Sequence, residues 1–275
     1  DGVQVVVPDS PQLITPYVLE EQGDWFEDEI RFLRRLLQPG RQAVDIGANY
    51  GVYTLSMAKC VGPSGRVWAY EPASGTAKLL GESIAANGFT QVVLERAALS
   101  GASGEGRIST GEHAELNELV QGGTQAGASE AVPLLTLDAC MARHGWRDID
   151  LLKLDAEGEE ANILQGGAAF FSQCSPLVQY EVRSRRRPEG ELLGLFAALG
   201  YASFRLVPAL DLLVPVDPQV PLDAYVVNLF ACKPDRAATL AEAGFLLAAG
   251  WAAAETMKPP GEDRGLRRGG GLLLV

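Results

Sequence analysis

Residues 44–51 read VDIGANYG, and this segment constrains the fold more than any other part of the 275-residue chain. The letters VDI end an apolar run typical of a buried strand, and Gly47 and Gly51 bracket a short loop. An amphipathic run follows at residues 52–58. A strand, a glycine loop and a helix in this order are typical of the first unit of a doubly wound nucleotide-binding sheet.

The spacing of the glycines and an adjacent acid indicate the class of ligand. A dinucleotide fingerprint reads G-x-G-x-x-G, whereas three residues separate Gly47 from Gly51 here. Asp45 stands beside the loop, where its carboxylate would repel a pyrophosphate. It suits a ligand with a cationic amino acid end and a ribose, and S-adenosylmethionine is such a ligand. We expect Asn49 to contact the amino acid end.

A second acid supports the same cofactor. Residues 67–72 read VWAYEP, a short apolar strand that ends in Glu71, where doubly wound folds place the acid that binds ribose hydroxyls. Ala97 and Ala98 follow the next predicted strand, and their small side chains leave room for adenine. S-adenosylhomocysteine would be the product. The predicted cofactor residues are Asp45, Gly47, Asn49, Gly51, Glu71, Ala97, Ala98 and Asp155.

The charge and composition of the chain narrow its classes of partner. The formal net charge of −12 disfavours nucleic acid and anionic membranes, because both are bound by clustered Lys and Arg. None of the four cysteines forms a C-x-x-C pair and only two histidines occur, so no zinc cluster is expected. Without a membrane span or signal peptide, a cytoplasmic protein is expected. The chain begins at Asp1 rather than Met, so its natural start stays open, as does a homo-oligomeric state.

Strands and helices alternate along most of the chain, which predicts an α/β fold with a doubly wound, mostly parallel sheet. We divide the chain into an N-terminal extension and helix at 1–40, a cofactor-binding domain at 41–234, and an Ala-rich helical segment and tail at 235–275. Residues 1–23 are expected to be irregular, with a strand-like stretch at 3–7. Asp24 and Glu27 match a capping box, which predicts a helix from residue 24 with Phe26 on its buried face. Trp25, Phe26 and Glu27 could instead close over the cofactor, and their spacing suits either role.

Residues 153–160 are the densest group of candidate catalytic side chains. Lys153 and Asp155 alternate onto one face of a predicted strand, whose carboxyl end would meet the ligand. A carboxylate there can orient an acceptor hydroxyl or take its proton, and Glu157 and Glu181 are the other candidates. Lys153 in a buried strand requires a carboxylate partner, which can be structural rather than catalytic. Alternatively, Glu157, Glu159 and Glu160 only stabilise the N-terminus of the following helix through its dipole.

Residues 100–131 form a Gly-, Ser- and Glu-rich insertion that is a candidate acceptor-binding loop. His113 and Asn117 within it are candidate substrate residues together with Glu157, although a loop histidine is more often only solvated. Asp155, Glu157 and Glu181 offer hard oxygen ligands for a divalent metal. The sequence does not require one, so we expect a metal-free site.

Several segments together resemble one known family. They are GDWFEDEIRFLRRLLQPG (23–40), VDIGANYG, YEP (70–72), LKLDAEGEEANILQGG (152–167) and QYEV (179–182). The chain resembles the FkbM-type methyltransferases, which implies a class I, Rossmann-like methyltransferase fold with helical segments added at both ends. The resemblance also implies S-adenosylmethionine-dependent methylation of a hydroxyl, commonly on a sugar, glycan or secondary metabolite.

The leading prediction is therefore an O-methyltransferase that acts by direct in-line transfer on a small-molecule or glycan acceptor. Enzymes that methylate base amines carry an Asn/Asp-Pro-Pro-Tyr-type segment, where this chain has DAEG at 155–158, so DNA and RNA are disfavoured. Two alternatives stay open. One is an NAD(P)-dependent oxidoreductase, and the other is a non-catalytic module of a larger biosynthetic assembly that keeps the cofactor-binding fold.

Overall fold

The protein forms a three-layer α/β structure around an eight-stranded sheet. The computed structural model describes residues 2–109, 119, 128–182, 190–217, 220–223 and 225–247. The central strands are β1 (Gln42–Ile46), β2 (Arg66–Tyr70), β3 (Val92–Glu95), β7 (Leu151–Leu154), β8 (Leu177–Glu181), β9 (Ala202–Val207), β10 (Leu212–Pro215) and β11 (Asn228–Cys232). A second sheet contains β4 (Ala98–Leu99), β5 (Gly104–Ser109) and β6 (Ser129–Leu135).

The strand order of the central sheet is β10-β9-β11-β8-β7-β1-β2-β3. Strands β3, β2, β1, β7 and β8 run parallel, whereas β11 is antiparallel to both of its neighbours and β10 is antiparallel to β9. The chain moves outward in one direction from β1 and in the other from β7. The crevice at their carboxyl ends is therefore the topological switch point, where open α/β sheets bind ligands.

Helices cover both faces of the central sheet. They are α1 (Ile14–Gln22), α2 (Asp28–Leu36), α3 (Val52–Val61), α4 (Ser74–Ala86), α5 (Leu137–His144), α6 (Glu160–Gln165), α7 (Ala168–Gln173), α8 (Glu191–Ala198) and α9 (Pro234–Glu242). Helices α5 to α8 pack on one face, and α2, α3 and α9 pack on the other. Alternate residues of each strand reach opposite faces, so Leu152 and Leu154 contact the first layer while Leu151 contacts the second.

The α/β class, the doubly wound and mostly parallel sheet and the helical additions at both ends are confirmed. No described helix is long and apolar enough to cross a membrane. Helix α9 begins the predicted C-terminal appendage, and residues 248–275 lie outside the described part of the chain.

The prediction for the N-terminal segment was wrong in two respects. Residues 14–22 form α1 rather than an irregular stretch, and no strand occurs at 3–7. The backbone N–H groups of Gln4 and Val6 instead donate to Asn87 and Ser83 at 2.8 Å each, which fastens this stretch along α4.

The predicted capping box is also absent. Helix α2 begins at Asp28, and Glu27 makes no side-chain cap. The carboxylate of Asp24 is paired with Arg34 at 2.6 Å, and this pairing lowers the pKa of Asp24 to about 2. Phe26, expected on the buried face, is 52% exposed. Asp24, which the local sequence predicts as the helix cap, therefore forms an ion pair with Arg34 instead.

Candidate active site

A cavity of about 380 Å³ lies at the carboxyl ends of the parallel strands. Its walls come from the loop after β1, from residues after β2, β3 and β7, from the end of β8 and from the N-terminal segment. The predicted site residues that line it are Gly47, Asn49, Glu71, Ala97, Ala98, Lys153, Asp155, Glu157 and Glu181. The fold thus gathers side chains that are far apart in sequence into one crevice.

The glycine loop needs its glycines for two different contacts. Gly47 has φ of 76°, and a Cβ at this position would lie 1.7 Å from the carbonyl oxygen of Asp155. Gly51 has φ of 90°, where a Cβ would lie 2.2 Å from Leu80 Cδ1. Gly51 caps α3 and does not line the cavity, so the structure gives it a packing role rather than the predicted ligand contact. Asn49 also adopts positive φ, at 50°.

Glu71 is held by the backbone in a defined orientation. Its two carboxylate oxygens accept hydrogen bonds from the N–H of Asn49 at 2.9 Å and from the N–H of Ala73 at 2.8 Å. The side chain is only 7% exposed, and burial raises its pKa to about 7. Each oxygen keeps a second lone pair with which to accept a ligand hydroxyl.

Asp45 is placed differently from the sequence prediction. The residue is 0% exposed and does not line the cavity. Its carboxylate accepts a hydrogen bond from Thr54 Oγ1 at 2.5 Å and lies 3.5 Å from Lys153 Nζ. A side chain with no exposed surface that does not line the cavity does not contact a ligand there. The geometry therefore assigns Asp45 to supporting the loop and Lys153, and the predicted direct contact is corrected.

Lys153 connects both loops of the site. Its ammonium donates to Asp155 Oδ2 at 3.2 Å and to the carbonyl oxygen of Gly47 at 3.3 Å. Burial alone would lower its pKa, but the carboxylates of Asp155 and Asp45 outweigh burial and raise it. The lysine is thus a permanent cation in this environment. The expected carboxylate partner of a buried lysine is confirmed, and two are present.

Residues 155–158 form a tight loop whose backbone is held by hydrogen bonds to the side chain of Glu160. Glu160 is 2% exposed, and its carboxylate accepts hydrogen bonds from the N–H groups of Ala156 at 2.9 Å and Gly158 at 3.2 Å. Glu157 has φ of 48°, a conformation uncommon for a residue with a side chain. Such backbone strain is found at functional sites more often than elsewhere.

Glu181 lines the cavity, and its pKa lies well above that of an ordinary glutamate. It ends β8, opposite Asn228 of β11. Burial, followed by the charges of Asp155, Glu157 and Glu160, raises its pKa to about 8. A carboxyl group with such a pKa can exchange a proton near neutral pH, as a general base or acid requires.

Some cavity residues were not predicted as site residues, and some predicted residues cannot be placed. Glu27, Tyr53 and Asn228 line the cavity, as does Glu159. The sequence allows Glu27 either a helix cap or a place over the cofactor, and no local pattern distinguishes the two. His113 and Asn117 lie outside the described residues.

The donor set fits S-adenosylmethionine better than a metal ion. Within the described ranges, no group of three or more His, Cys, Asp or Glu side chains has an arrangement that could hold a metal. The acids that line the cavity exceed its one described lysine, and this excess favours a cationic ligand. Glu71 offers oriented acceptors for ribose hydroxyls, and Ala97 and Ala98 leave room beside them.

The chain is similar to one protein-family model and to several solved structures. Residues 45–204 match the family model described as "Methyltransferase FkbM domain", which spans more than half of the chain. A SAM-dependent O-methyltransferase from Thermotoga maritima is similar, with 16% identity, a TM-score of 0.46 and coverage of 78% of this chain and 69% of that one. A methyltransferase FkbM from Methylobacillus flagellatus has 15% identity and a TM-score of 0.46, with coverage of 70% and 43%. A putative rRNA methylase from Clostridium thermocellum has 8% identity and a TM-score of 0.45, with coverage of 74% and 91%. No curated protein sequence matches significantly.

Proposed function

Since the chain belongs to the FkbM methyltransferase family, we propose that it transfers a methyl group from S-adenosylmethionine to a hydroxyl of a small-molecule or glycan acceptor. One observation carries the choice of a hydroxyl. The carboxylates of Asp155 and Glu181, at the ends of adjacent strands, line the same cavity as the glycine loop and Glu71. An alcohol is a weak nucleophile and needs such a base beside it.

The cofactor would be held along one side of this cavity. Glu71 would accept hydrogen bonds from the ribose hydroxyls, Ala97 and Ala98 would flank the adenine, and Asn49 and the Gly47 backbone would border the amino acid end. When bound, S-adenosylmethionine would supply the methyl group as an electrophile and leave as S-adenosylhomocysteine.

The acceptor would lie over β7 and β8. Glu181 is the best candidate for the general base, because its pKa of about 8 lies close to physiological pH. Asp155 is paired with Lys153 at 3.2 Å, so we assign it to orienting the acceptor hydroxyl. The proton of the acceptor hydroxyl would pass to Glu181 as the hydroxyl oxygen bonds to the methyl carbon. Glu157, at the rim of the same loop, would contact the acceptor.

Two observations support a small molecule or glycan over a nucleic acid. The net charge of −12 opposes phosphate binding, and the loop at 155–158 reads DAEG rather than a base-amine methylation motif. The acids that line the cavity would repel an anionic acceptor in the same way.

Calorimetric titration with S-adenosylhomocysteine, with NADH as the control, tests the cofactor. We expect micromolar affinity for the former alone, and binding of NADH or of neither would contradict the proposal. Methyl transfer from radiolabelled S-adenosylmethionine to neutral sugars and hydroxylated metabolites then tests the acceptor class. Amine acceptors in the same screen provide the contrast, and label transferred only to amines would overturn O-methylation.

A further inference from the structure

Glu27 lies in the segment at 23–40, N-terminal to residues 45–204 that match the family model, and it lines the cavity. It immediately precedes α2, at the end of the stretch that contributes Trp25 and Phe26 to the same wall. The hydroxyl of Tyr53, in the first turn of α3, donates to Glu27 Oε2 at 2.5 Å. This bond fixes the N-terminal segment beside the glycine loop.

Tyr53 is itself held from two sides. The side-chain amide of Gln179 donates to its hydroxyl oxygen at 3.2 Å, and Lys153 Nζ lies 5.2 Å from the centre of its ring. Because the hydroxyl already accepts from Gln179, its own proton is directed to Glu27. Burial, with the charge of Glu27, raises the pKa of Tyr53, so Tyr53 remains a neutral donor and Glu27 an acceptor.

Glu27 is not required to neutralise Lys153. The carboxylates of Asp155 and Asp45 contribute more to the raised pKa of that lysine than Glu27 does, and both lie within 3.5 Å of its ammonium. Among the described residues, Tyr53 is the hydrogen-bond partner of Glu27. The carboxylate of Glu27 can therefore accept further hydrogen bonds at the cavity wall.

Glu27 lies on the side of the cavity where the amino acid end of the cofactor would be. Ala97 and Ala98 follow β3, and Glu71 follows β2, so adenine and ribose would lie toward that side of the sheet. The rest of the cofactor would extend in the opposite direction, toward the ends of β1 and β7. Glu27 reaches the cavity there, through Tyr53 of the helix that follows the β1 loop.

We propose that Glu27 binds the α-ammonium group of S-adenosylmethionine, as a cofactor-binding residue supplied from outside the matched domain. Tyr53 is the positioning residue that aims the carboxylate. The inference rests on the proposed function, since it needs that cofactor in this cavity. A charged hydrogen bond between carboxylate and ammonium is among the stronger polar contacts in proteins.

The test compares ligands that differ only at the amino acid end. Calorimetry with the full chain would measure S-adenosylhomocysteine, its deaminated analogue and 5′-methylthioadenosine, which lacks the amino acid altogether. Glu27→Gln should weaken S-adenosylhomocysteine binding about tenfold or more and leave 5′-methylthioadenosine binding unchanged. In wild type, deamination of the ligand should cost affinity, whereas in Glu27→Gln it should cost almost nothing further.

Glu21→Gln is the matched control, because Glu21 is an exposed acid of the same N-terminal segment that does not line the cavity, and it should leave all three affinities unchanged. Tyr53→Phe should cause a smaller loss confined to ligands with the amino group, and it carries the test should Glu27→Gln fail to fold. Unchanged S-adenosylhomocysteine affinity in Glu27→Gln, or equal loss for 5′-methylthioadenosine, would overturn the inference alone. A wild-type chain that binds none of the three ligands would overturn the proposed function as well.

Discussion

Lys153 and Asp45 are register partners on β7 and β1, and Lys153 Nζ lies 3.5 Å from Asp45 Oδ1 with side chains only 7% and 0% exposed. Gln179 is the partner of Lys153 on β8, so a row of three polar residues crosses the end of the sheet. Thr54 donates to Asp45, and Gln179 donates to Tyr53. The row therefore ties three strand ends to α3, the helix that follows the glycine loop.

Removal of one member of this buried pair should destabilise the fold strongly. Lys153→Met leaves the Asp45 carboxylate without its cation in a dry interior, and we expect a loss of about 3–5 kcal/mol in the free energy of unfolding. Urea denaturation at pH 7 measures it. The double variant Asp45→Asn/Lys153→Met removes both charges and should recover part of the loss. A double variant as unstable as the single one would show that the ion pair is not the cause.

Gly47→Ala should damage cofactor binding far more than a comparable change elsewhere. The new Cβ would lie 1.7 Å from the Asp155 carbonyl oxygen, so the loop at 155–158 has to shift. We expect S-adenosylhomocysteine affinity to fall by about tenfold or more, the scale of 1.4 kcal/mol. Gly145→Ala is the matched control, since Gly145 also has positive φ, at 66°, but no atom within 4 Å of the added Cβ. It should cost only backbone strain of about 1–2 kcal/mol and leave affinity intact.

Sequence patterning predicted the elements whose side chains face a regular core. Strand β1, the glycine loop and α3 follow from apolar periodicity and turn chemistry, and the structure has all three in the predicted order, with α3 beginning at Val52. Helix α1 was missed because Pro16 and the nearby prolines indicate an irregular segment, although proline is tolerated in a first helical turn. Strand β10 is an edge strand, and its short sequence has no clear strand pattern, so the sequence does not predict it.

The sequence predicts site residues where reactive side chains stand at the ends of predicted strands. It does not predict those whose position depends on contacts with distant parts of the chain. Asp155 follows one apolar strand and Glu181 ends the next, so their place at the carboxyl edge follows from topology. For Glu27 the sequence left a helix cap and a place over the cofactor open. The structure places it at the cavity wall, in contact with Tyr53, 26 positions along the chain. The buried place of Asp45 likewise depends on its contacts with Thr54 and Lys153, which no local pattern connects to it.

Cofactor affinity should depend on pH through Glu71. Its pKa of about 7 means that it is largely protonated at pH 6 and largely ionised at pH 8. Ribose hydroxyls donate better to the carboxylate than to the acid, so S-adenosylhomocysteine affinity should fall as pH decreases through 7, by at most about tenfold per unit. Calorimetry at pH 6, 7 and 8 measures this. Glu71→Gln should bind weakly and equally at all three values, and a pH dependence retained in that variant would exclude Glu71 as its source.

Turnover should depend on the ionisation of Glu181. The base must be deprotonated to accept the proton of the acceptor, so kcat/KM should rise with pH and level off above about 8. Glu181→Gln should lower kcat by about 10²–10⁴-fold while S-adenosylhomocysteine affinity stays unchanged. Unfolding does not account for such a loss: a carboxyl whose folded pKa is raised loses stability as pH rises toward that value, so the Gln variant should be at least as stable at pH 9, by thermal denaturation. A variant that keeps both full turnover and the pH profile would assign the proton transfer to another group, with Asp155→Asn the next to measure.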